Sequence, residues 1–374
     1  MIDRRVIESF DWWILLVPIG ISLMGVATIY SATRPVFDIE QQSFYIKQLS
    51  WIGLSLVFFF IFISIDYKWF TQFAYIVFGL GIVLLMIVLV AGRTGMGAQR
   101  WINLGFMSFQ PSEFFKLFFI MAVSRYLSTM EQTPSIDFKE LLKMSGIFLL
   151  VPAILILKQP DLGTALMVFF IFTGMIMTVG LRKKIILIML VAGLLSVPIA
   201  GKFVWGGLKD YQKNRIIAFI DPQADPHGIG YHITQSKVSI GSGGLLGKGY
   251  MKGTQGPYRF LPENHTDFIF SIYAEERGFF GSLALFFMYF FIIWRGFDTA
   301  KKARDREGCF LALGVTYMFS FYFFVNVGMT LGMLPVVGVP LPLMSYGGTA
   351  ILSNFLALSI IENVRMRRFA LYYY

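Results

Sequence analysis

The stretch 258–271 contains the residues whose types and order most directly suggest chemistry. It closes a long polar loop and runs straight into an apolar segment, with Asp267 at the junction and Glu263 and His265 just before it. A carboxylate beside hydrocarbon costs roughly a few kcal/mol unless it has partners or water, so such a residue marks a functional site by default. We therefore expect an active site at a membrane surface, with Asp267 as a candidate base.

Asp267 also has a structural interpretation. A helix that begins there would place Asp267, Ser271 and Glu275 on one face, with Glu275 about 12 Å deeper along the axis. In the functional interpretation Asp267 is a carboxylate base at the mouth of a polar cavity. In the structural one it stabilises the positive end of the helix dipole, and Thr266 serves as the cap. These residues alone leave both open.

Glu113 and Lys116 form a second candidate pair, shortly after Pro111. Pro111 suits the first turn of a helix and Glu113 favours its positive end, which is a structural explanation. Lys116 lies within an apolar run and needs a partner. It either pairs with Glu113 as structural glue or presents positive charge to an anionic substrate.

Two further candidates lie in short segments between apolar runs. Arg100 and Trp101 stand together in a glycine-rich segment, and Trp is common at membrane interfaces because its ring is amphipathic. Beside an Arg it is also suited to stack on a sugar or a lipid headgroup. Asp161 is either an acid at a helix start or part of the same outer cavity. Asn326 and the broken backbone at 345–348 are expected to line that cavity.

The run 242–249 resembles a phosphate-binding loop but lacks the first Gly and the final Ser or Thr of the nucleotide-binding motif. Nucleotide binding is therefore excluded, while Lys248, among flexible glycines, remains able to approach a diphosphate. The three histidines lack a zinc-ligand spacing. We expect no structural metal and no certain cofactor; Mg²⁺ or another divalent cation held on a diphosphate stays open.

The elements that must position these residues are membrane helices. The chain has 374 residues, 56% of them hydrophobic and 14% charged, and its mean hydropathy is +0.66. Soluble domains carry roughly a quarter charged residues, so this chain has too little polar surface for a water-soluble body. We predict an all-α polytopic membrane protein, one domain over 1–374, with ten transmembrane helices. The predicted spans are 11–31, 47–65, 70–91, 112–129, 142–158, 162–180, 185–204, 267–294, 309–334 and 343–364.

The Lys and Arg residues in the short loops predict the orientation. They concentrate on one side, which places both termini in the cytoplasm. The long segment 205–266, between the seventh and eighth spans, is then extracytoplasmic, with partial helix expected at 211–219 and 232–240. The net charge of +10 follows mostly from this pattern, and no basic–aromatic module indicates nucleic-acid binding.

Six stretches along the chain match one family pattern in order. They are Gln99-Arg-Trp-Ile, Gln110-Pro-Ser-Glu-Phe-Phe-Lys, Lys158-Gln-Pro-Asp-Leu-Gly-Thr-Ala, 231–249 with Gln235-Ser-Lys, Leu261-Pro-Glu-Asn-His-Thr-Asp-Phe-Ile-Phe and Leu341-Pro-Leu-Met-Ser-Tyr-Gly-Gly. Together they closely resemble the SEDS family of bacterial cell-wall proteins (shape, elongation, division and sporulation), over nearly the whole chain. Within the family the chain is most similar to the elongation member, although the linker 256–259 is less typical.

The resemblance implies a peptidoglycan glycosyltransferase. Such proteins polymerise lipid II, the undecaprenyl-diphosphate-linked disaccharide-peptide, on the outer face of the bacterial cytoplasmic membrane. The implied partners are a class B penicillin-binding protein, which crosslinks the product, and other membrane proteins of the elongation complex. The family's catalytic aspartate falls on Asp267. The residues expected to bind substrate are Arg100, Trp101, Glu113, Lys116, Asp161, Gln235, Ser236 and Lys237, with Glu263 and His265 beside Asp267.

Residue chemistry and resemblance suggest one mechanism. Glycan polymerisation needs a base for the acceptor 4-hydroxyl, for which Asp267 is the candidate. It also needs positive charge for the departing diphosphate, for which Lys116, Arg100 and Lys237 are candidates. One carboxylate and no second nucleophile predict a single displacement with inversion. Two alternatives remain: a flippase that moves lipid-linked precursors across the bilayer, and a non-catalytic scaffold that activates the penicillin-binding protein.

Overall fold

Helices dominate the fold, in agreement with the predicted all-α class. The computed structural model describes residues 8–34, 43–95, 98–103, 105, 108–130, 135–182, 185, 187, 210–225, 228–258, 260, 261 and 264–369. The helices are α1 (Trp12–Thr33), α2 (Phe44–Ser64), α3 (Tyr67–Gln72), α4 (Ala74–Ala91), α5 (Pro111–Thr129), α6 (Phe138–Lys158), α7 (Leu162–Val179), α8 (Asp210–Ile220), α9 (Ile229–Ser242), α10 (Ile269–Lys301), α11 (Arg306–Thr330) and α12 (Gly348–Met366).

The chain is a multi-pass membrane protein. Among the described residues, seven helices (α1, α2, α4, α6, α7, α10 and α11) are long and apolar enough to cross a membrane. α5 and α12 lie inside the bundle with most of their side chains buried, so they carry polar groups that face protein rather than lipid. Long helices thus occupy nine of the ten predicted spans. The remaining one, 185–204, lies outside the described residues except for residues 185 and 187.

The bundle is built around α11 and α12. α12 packs against α2, α5 and α11, and α11 packs against α7 and α10. Long helices that are joined by a short connection run in opposite directions, so these connections gather at two ends. We call the end with the α4–α5, α6–α7 and α11–α12 connections the hairpin end. The other, the terminal end, carries residues 8 and 369.

A small antiparallel sheet joins α4 to α5 at the hairpin end, where the sequence suggested only a glycine-rich loop. Its strands are β1 (Arg93–Gly95), β2 (Ala98–Asn103) and β3 (Ser108–Phe109), in the order β1-β2-β3. Trp101 in β2 pairs with Arg93 in β1. The sheet therefore gives Arg100 and Trp101 a regular backbone.

Two helices precede α10, as expected from the amphipathic stretches of the long polar segment. They are α8 and α9, joined by a 3₁₀ turn at Pro222–Ala224. α9 packs on the start of α10, where the Ser236 and Ser271 hydroxyls lie 2.6 Å apart and Ser239 Oγ donates to Ser271 O at 2.9 Å. This contact fixes α9 at the hairpin end.

α10 is broken at Gly278, whose φ of 67° and ψ of −162° are accessible in practice only to glycine. The glycine-rich loop 243–249 satisfies the backbone groups exposed by the break. The bonds are Lys248 N–H to Glu275 O (3.0 Å), Gly249 N–H to Glu276 O (3.0 Å), Phe279 N–H to Gly244 O (2.9 Å) and Phe280 N–H to Leu245 O (3.2 Å). The loop that resembles a phosphate-binding loop therefore forms hydrogen bonds with α10 on both sides of its break.

Candidate functional site

Asp267 lies in the turn 264–268, just before α10. The prediction that the helix starts at Asp267 was wrong by two residues, because α10 begins at Ile269 with Phe268 as its N-cap. Asp267 therefore lies before the helix and does not share a helix face with Ser271 and Glu275, whose side chains are fully buried in other contacts. Asp267 itself is half-buried.

The backbone of this turn is held by side chains from the last two long helices and their connection. Asn326 on α11 donates through Nδ2 to Asp267 O at 2.9 Å and to Val339 O at 2.7 Å. Ser345 Oγ donates to Thr266 O at 2.7 Å. Asn326 and the 345–348 break thus meet at Asp267, where they fix the turn.

The carboxylate of Asp267 lies beside the backbone of Gly338. A Cβ added to Gly338 would lie 3.4 Å from Asp267 Oδ2 and 3.9 Å from Arg215 Nη2. Gly338 has a φ of +73°, a left-handed conformation that also favours glycine. Arg215, on α8, was missed by sequence reasoning; the amphipathic pattern of its helix was the only available signal. The structure thus brings a cation to the candidate base.

The side chain of His265 is half-buried and packs against aromatic rings. Its ring stacks on Phe44, with centroids 4.6 Å apart and planes 10° from parallel, and lies 5.8 Å from the ring of Tyr346. Its backbone C=O accepts from Tyr346 N–H at 2.9 Å. His265 therefore anchors the turn to α2. Glu263, the other neighbour predicted to bind substrate, lies outside the described residues.

Arg100 and Asp161 meet at the hairpin end. Arg100 Nη1 lies 3.8 Å from Asp161 Oδ1, and its Nη2 donates to Pro160 O. Asp161 caps α7 by accepting from Thr164 N–H at 3.2 Å and Thr164 Oγ1 at 2.8 Å, so its helix-start interpretation is correct and it carries an ion pair as well. Trp101, next to Arg100 in β2, is half-buried.

The start of α7 and the turn of Asp267 share one neighbour, the segment 337–339. A Cβ on Gly163 would lie 2.8 Å from Val337 O and 3.1 Å from Gly338 O, so α7 touches this backbone closely. A Cβ on the same Gly338 would lie 3.4 Å from Asp267 Oδ2. The Arg100–Asp161 pair and Asp267 therefore belong to one region of the hairpin end.

Glu113 and Lys116 take the structural alternative that the sequence left open. Both are buried, with Lys116 only 1% exposed, and Lys116 Nζ lies 2.7 Å from Glu113 Oε2. The ammonium also donates to Tyr322 OH and lies 4.3 Å from the centre of that ring. Ser353 Oγ donates to Glu113 Oε2 at 3.3 Å. The pair links α5, α11 and α12.

The three consecutive residues predicted to bind substrate on α9 have different surroundings. Ser236 is fully buried and donates to Thr330 O at 2.6 Å, which is a packing contact. Lys237 is exposed, and its Cε and Nζ lie against Gly332. Gln235 is half-buried. A single face of α9 cannot present all three to a ligand.

Lys248 is engaged by an internal anion. Its Nζ lies 2.6 Å from Glu275 Oε1, and the carboxylate also accepts from Thr254 N–H (2.9 Å), Thr254 Oγ1 (2.8 Å) and Gln255 N–H (3.3 Å). Glu275 is fully buried. Lys248 therefore neutralises this carboxylate. Within the described residues, no group of three His, Cys, Asp or Glu side chains is placed to hold a metal ion.

Known proteins share the sequence pattern of this chain. Residues 11–369 match the family model described as cell cycle protein, of FtsW, RodA and SpoVE. The peptidoglycan glycosyltransferase MrdB of Escherichia coli (strain K12) is 37% identical over 361 residues, covering 96% of this chain and 94% of that protein. The peptidoglycan glycosyltransferase RodA of Treponema pallidum (strain Nichols) is 31% identical over 432 residues, covering 97% and 99%.

Solved structures share the fold. A chain from a peptidoglycan synthase complex, studied for the coordination of polymerization and crosslinking, superposes with a TM-score of 0.82 at 30% identity, covering 96% of this chain and 98% of that one. The rod shape determining protein RodA of Thermus thermophilus gives a TM-score of 0.70 at 26% identity, covering 96% and 98%. With its family motifs, its membrane helices and this fold, the chain belongs to the SEDS family of FtsW, RodA and SpoVE proteins.

Proposed function

We propose that this chain is a peptidoglycan glycosyltransferase that polymerises lipid II at the outer face of the bacterial cytoplasmic membrane during cell elongation. The position of Asp267 carries this assignment: Asp267 is half-buried, and its carboxylate lies beside Gly338 with the guanidinium of Arg215 close to the same point. The names of the MrdB and RodA relatives support the same activity.

The reaction is a single displacement on the lipid-linked sugar. Asp267 accepts the proton of the acceptor 4-hydroxyl as its oxygen attacks the anomeric carbon. The bond from that carbon to the diphosphate oxygen breaks, and its electron pair leaves with the diphosphate. Because one attack replaces one bond, the α-linked donor becomes a β-linked polymer. Product that keeps the α linkage would contradict this mechanism.

The proposed topology has ten spans with both termini in the cytoplasm and 205–266 outside. Four observations support it. Leu181, after α7, bridges to Ile136 before α6, so it lies at the terminal end. α8 and α9 lie at the hairpin end. The apolar segment 185–204 falls between these two positions, and the basic short loops favour a cytoplasmic terminal end.

The proposed partner is a class B penicillin-binding protein that crosslinks the new glycan, together with other membrane proteins of the elongation complex. The support comes from the synthase complex that shares this fold and couples polymerization to crosslinking. Lipid II is the proposed substrate, with any divalent cation arriving on its diphosphate. Nucleic acid has no place in this function.

The decisive experiment compares glycan polymerisation by wild type, Asp267→Asn and Asp221→Asn, each purified with the penicillin-binding partner. Asp221 is an exposed carboxylate in the same polar segment, so it controls for the chemical change. We expect Asp267→Asn to fold but to polymerise at least ~100-fold more slowly, since a positioned base contributes ~10²–10⁴-fold. Asp221→Asn should retain the wild-type rate.

Each other outcome has a distinct meaning. Normal polymer from Asp267→Asn would keep the enzyme but remove Asp267 as the base, with Glu263 the next candidate. Wild-type protein that makes no glycan, yet moves labelled lipid II across vesicle membranes, would establish the flippase alternative. A variant that fully supports the partner without any polymerisation would establish the scaffold alternative.

A further inference from the structure

Arg215 and Asp267 converge on one small space at the hairpin end. Asp267 Oδ2 and Arg215 Nη2 lie 3.4 Å and 3.9 Å from the same point, the position that a Cβ would take on Gly338. Gly338 has a φ of +73°, which disfavours any residue with a side chain, so no side chain of residue 338 stands between the two groups. A candidate base and a cation therefore lie close to the same point beside Gly338.

The other cations predicted for the diphosphate are committed elsewhere. Lys116 is sealed between Glu113 and Tyr322. Arg100 is directed to Asp161 and Pro160. The side chain of Lys237, on α9, lies against Gly332. None of these three contacts involves Asp267, whereas Arg215 Nη2 and Asp267 Oδ2 both lie within 4 Å of one point beside Gly338.

The helix that carries Arg215 suits a lipid-linked substrate. α8 leaves Ile216, Ile217 and Ile220 exposed, with Ile220 77% exposed, and these positions share one side of a helix. An amphipathic helix with such a face lies in the membrane interface. Arg215 is half-buried on the same helix, so we expect it at the level where the headgroup of a lipid-linked molecule would lie.

We propose that Arg215 is the cation that binds the lipid-linked diphosphate at Asp267 and stabilises it as the leaving group. This rests on the proposed glycosyl transfer. When the anomeric C–O bond breaks, its electron pair adds negative charge to the diphosphate oxygen, and Arg215 matches that charge. The acceptor proton goes to Asp267, and the new glycosidic C–O bond replaces the broken one. A guanidinium fits this task because its planar fork binds phosphate oxygens through two parallel N–H bonds.

The kinetic test measures kcat and KM for lipid II polymerisation with the penicillin-binding partner present. Arg215→Gln should lower turnover about 10²–10³-fold, the usual loss for one removed donor to a developing anion. The loss should fall more on kcat than on KM, because the charge grows in the transition state. Arg215→Lys should be intermediate, since it keeps the charge but loses the fork.

Lys213→Gln is the matched control. It removes a positive charge from the same helix, but residues two apart on a helix point in different directions. It should polymerise like the wild type. Thermal unfolding of each purified variant identifies any loss of fold, and Arg215→Lys keeps the test valid if the Gln variant is unstable.

A binding measurement separates this assignment from the polymerase activity. Undecaprenyl diphosphate should raise the Tm of wild type, Asp267→Asn and Lys213→Gln, since a ligand that binds the folded state stabilises it. Arg215→Gln should lose this shift. If wild type makes no glycan but the shift depends on Arg215, the cation site stands and the polymerase proposal fails. Wild-type turnover or an undiminished shift in Arg215→Gln would overturn the assignment.

Discussion

At the scale of single residues, Lys116 of α5 is a cation that lies almost fully buried. Moving an ammonium group out of water costs roughly several kcal/mol of hydration free energy, unless close polar partners replace the lost water. Lys116 has three: the Glu113 carboxylate at 2.7 Å, the Tyr322 hydroxyl, and the face of the Tyr322 ring. Ser353 supports the carboxylate from α12. Removal of either charge leaves the other buried and unpaired.

This arrangement predicts that removing one charge of the pair destabilises the protein more than removing both. Lys116→Met should destabilise the protein by about 3–5 kcal/mol, because Glu113 keeps a buried charge. Glu113→Gln with Lys116→Met should recover much of that loss. Thermal unfolding of the purified protein measures the difference, and lipid II polymerisation is assayed in parallel. A stable but inactive double variant would mean that the pair acts in the reaction beyond its structural contact.

At the scale of elements, the break in α10 determines where the polar loop lies. Gly278 allows the chain to leave the helical path, and the loop 243–249 supplies partners on both sides of the break. Glu275 then holds Lys248 and Thr254 from the helix side.

Gly278→Ala should therefore disrupt the loop. Its φ of 67° and ψ of −162° cost an alanine about 1–3 kcal/mol, and the added Cβ would also collide with Gly247 N. Gly241→Ala is the matched control, because a Cβ there meets no atom within 4 Å. Hydrogen exchange of 243–258 should rise in the first variant only. Unchanged protection in Gly278→Ala would refute the coupling between break and loop.

At the scale of the whole molecule, a buried charge cluster joins the first helix to the last at the terminal end. Arg365 on α12 lies 2.8 Å from Asp11 Oδ2 through Nε and 2.9 Å from Asp298 Oδ2 through Nη1. Arg295 on α10 binds the same Asp11 carboxylate, and Glu362 accepts from Asp11 N–H at 2.8 Å. Three helices distant in sequence are therefore fastened together opposite the candidate site.

Arg365→Met should lower the unfolding free energy by about 3–5 kcal/mol, because the buried Asp11 and the partly buried Asp298 both lose a partner. Lys302→Gln removes another partner of Asp298, but Lys302 is 54% exposed. An exposed pair is worth about 0–1 kcal/mol, so this control should change little. Chemical unfolding in detergent compares the two variants. Equal losses of unfolding free energy in the two variants would mean that the buried cluster does not stabilise the contact between these helices.

Much of the fold followed from the sequence, because apolar runs of spanning length have few alternatives in a membrane. Nine predicted spans coincide with long helices, and the two stretches of partial helix appear as α8 and α9. Asp267 stood out for the same reason: a carboxylate beside hydrocarbon needs an explanation. The family pattern was likewise readable from short motifs in order.

Partners across the sequence could be decided only by the tertiary structure. Lys248 and Lys116 are cations in suitable segments, yet packing gives each to an internal carboxylate. Arg215 carries no distinctive motif, and only the approach of α8 to Gly338 brings it to Asp267. The physical reason is general: hydropathy depends on residues near in sequence, whereas the partner of a charge depends on which distant segments meet. The sequence by itself determined the helices and the candidate base, and the packing of those helices decided which cation faces it.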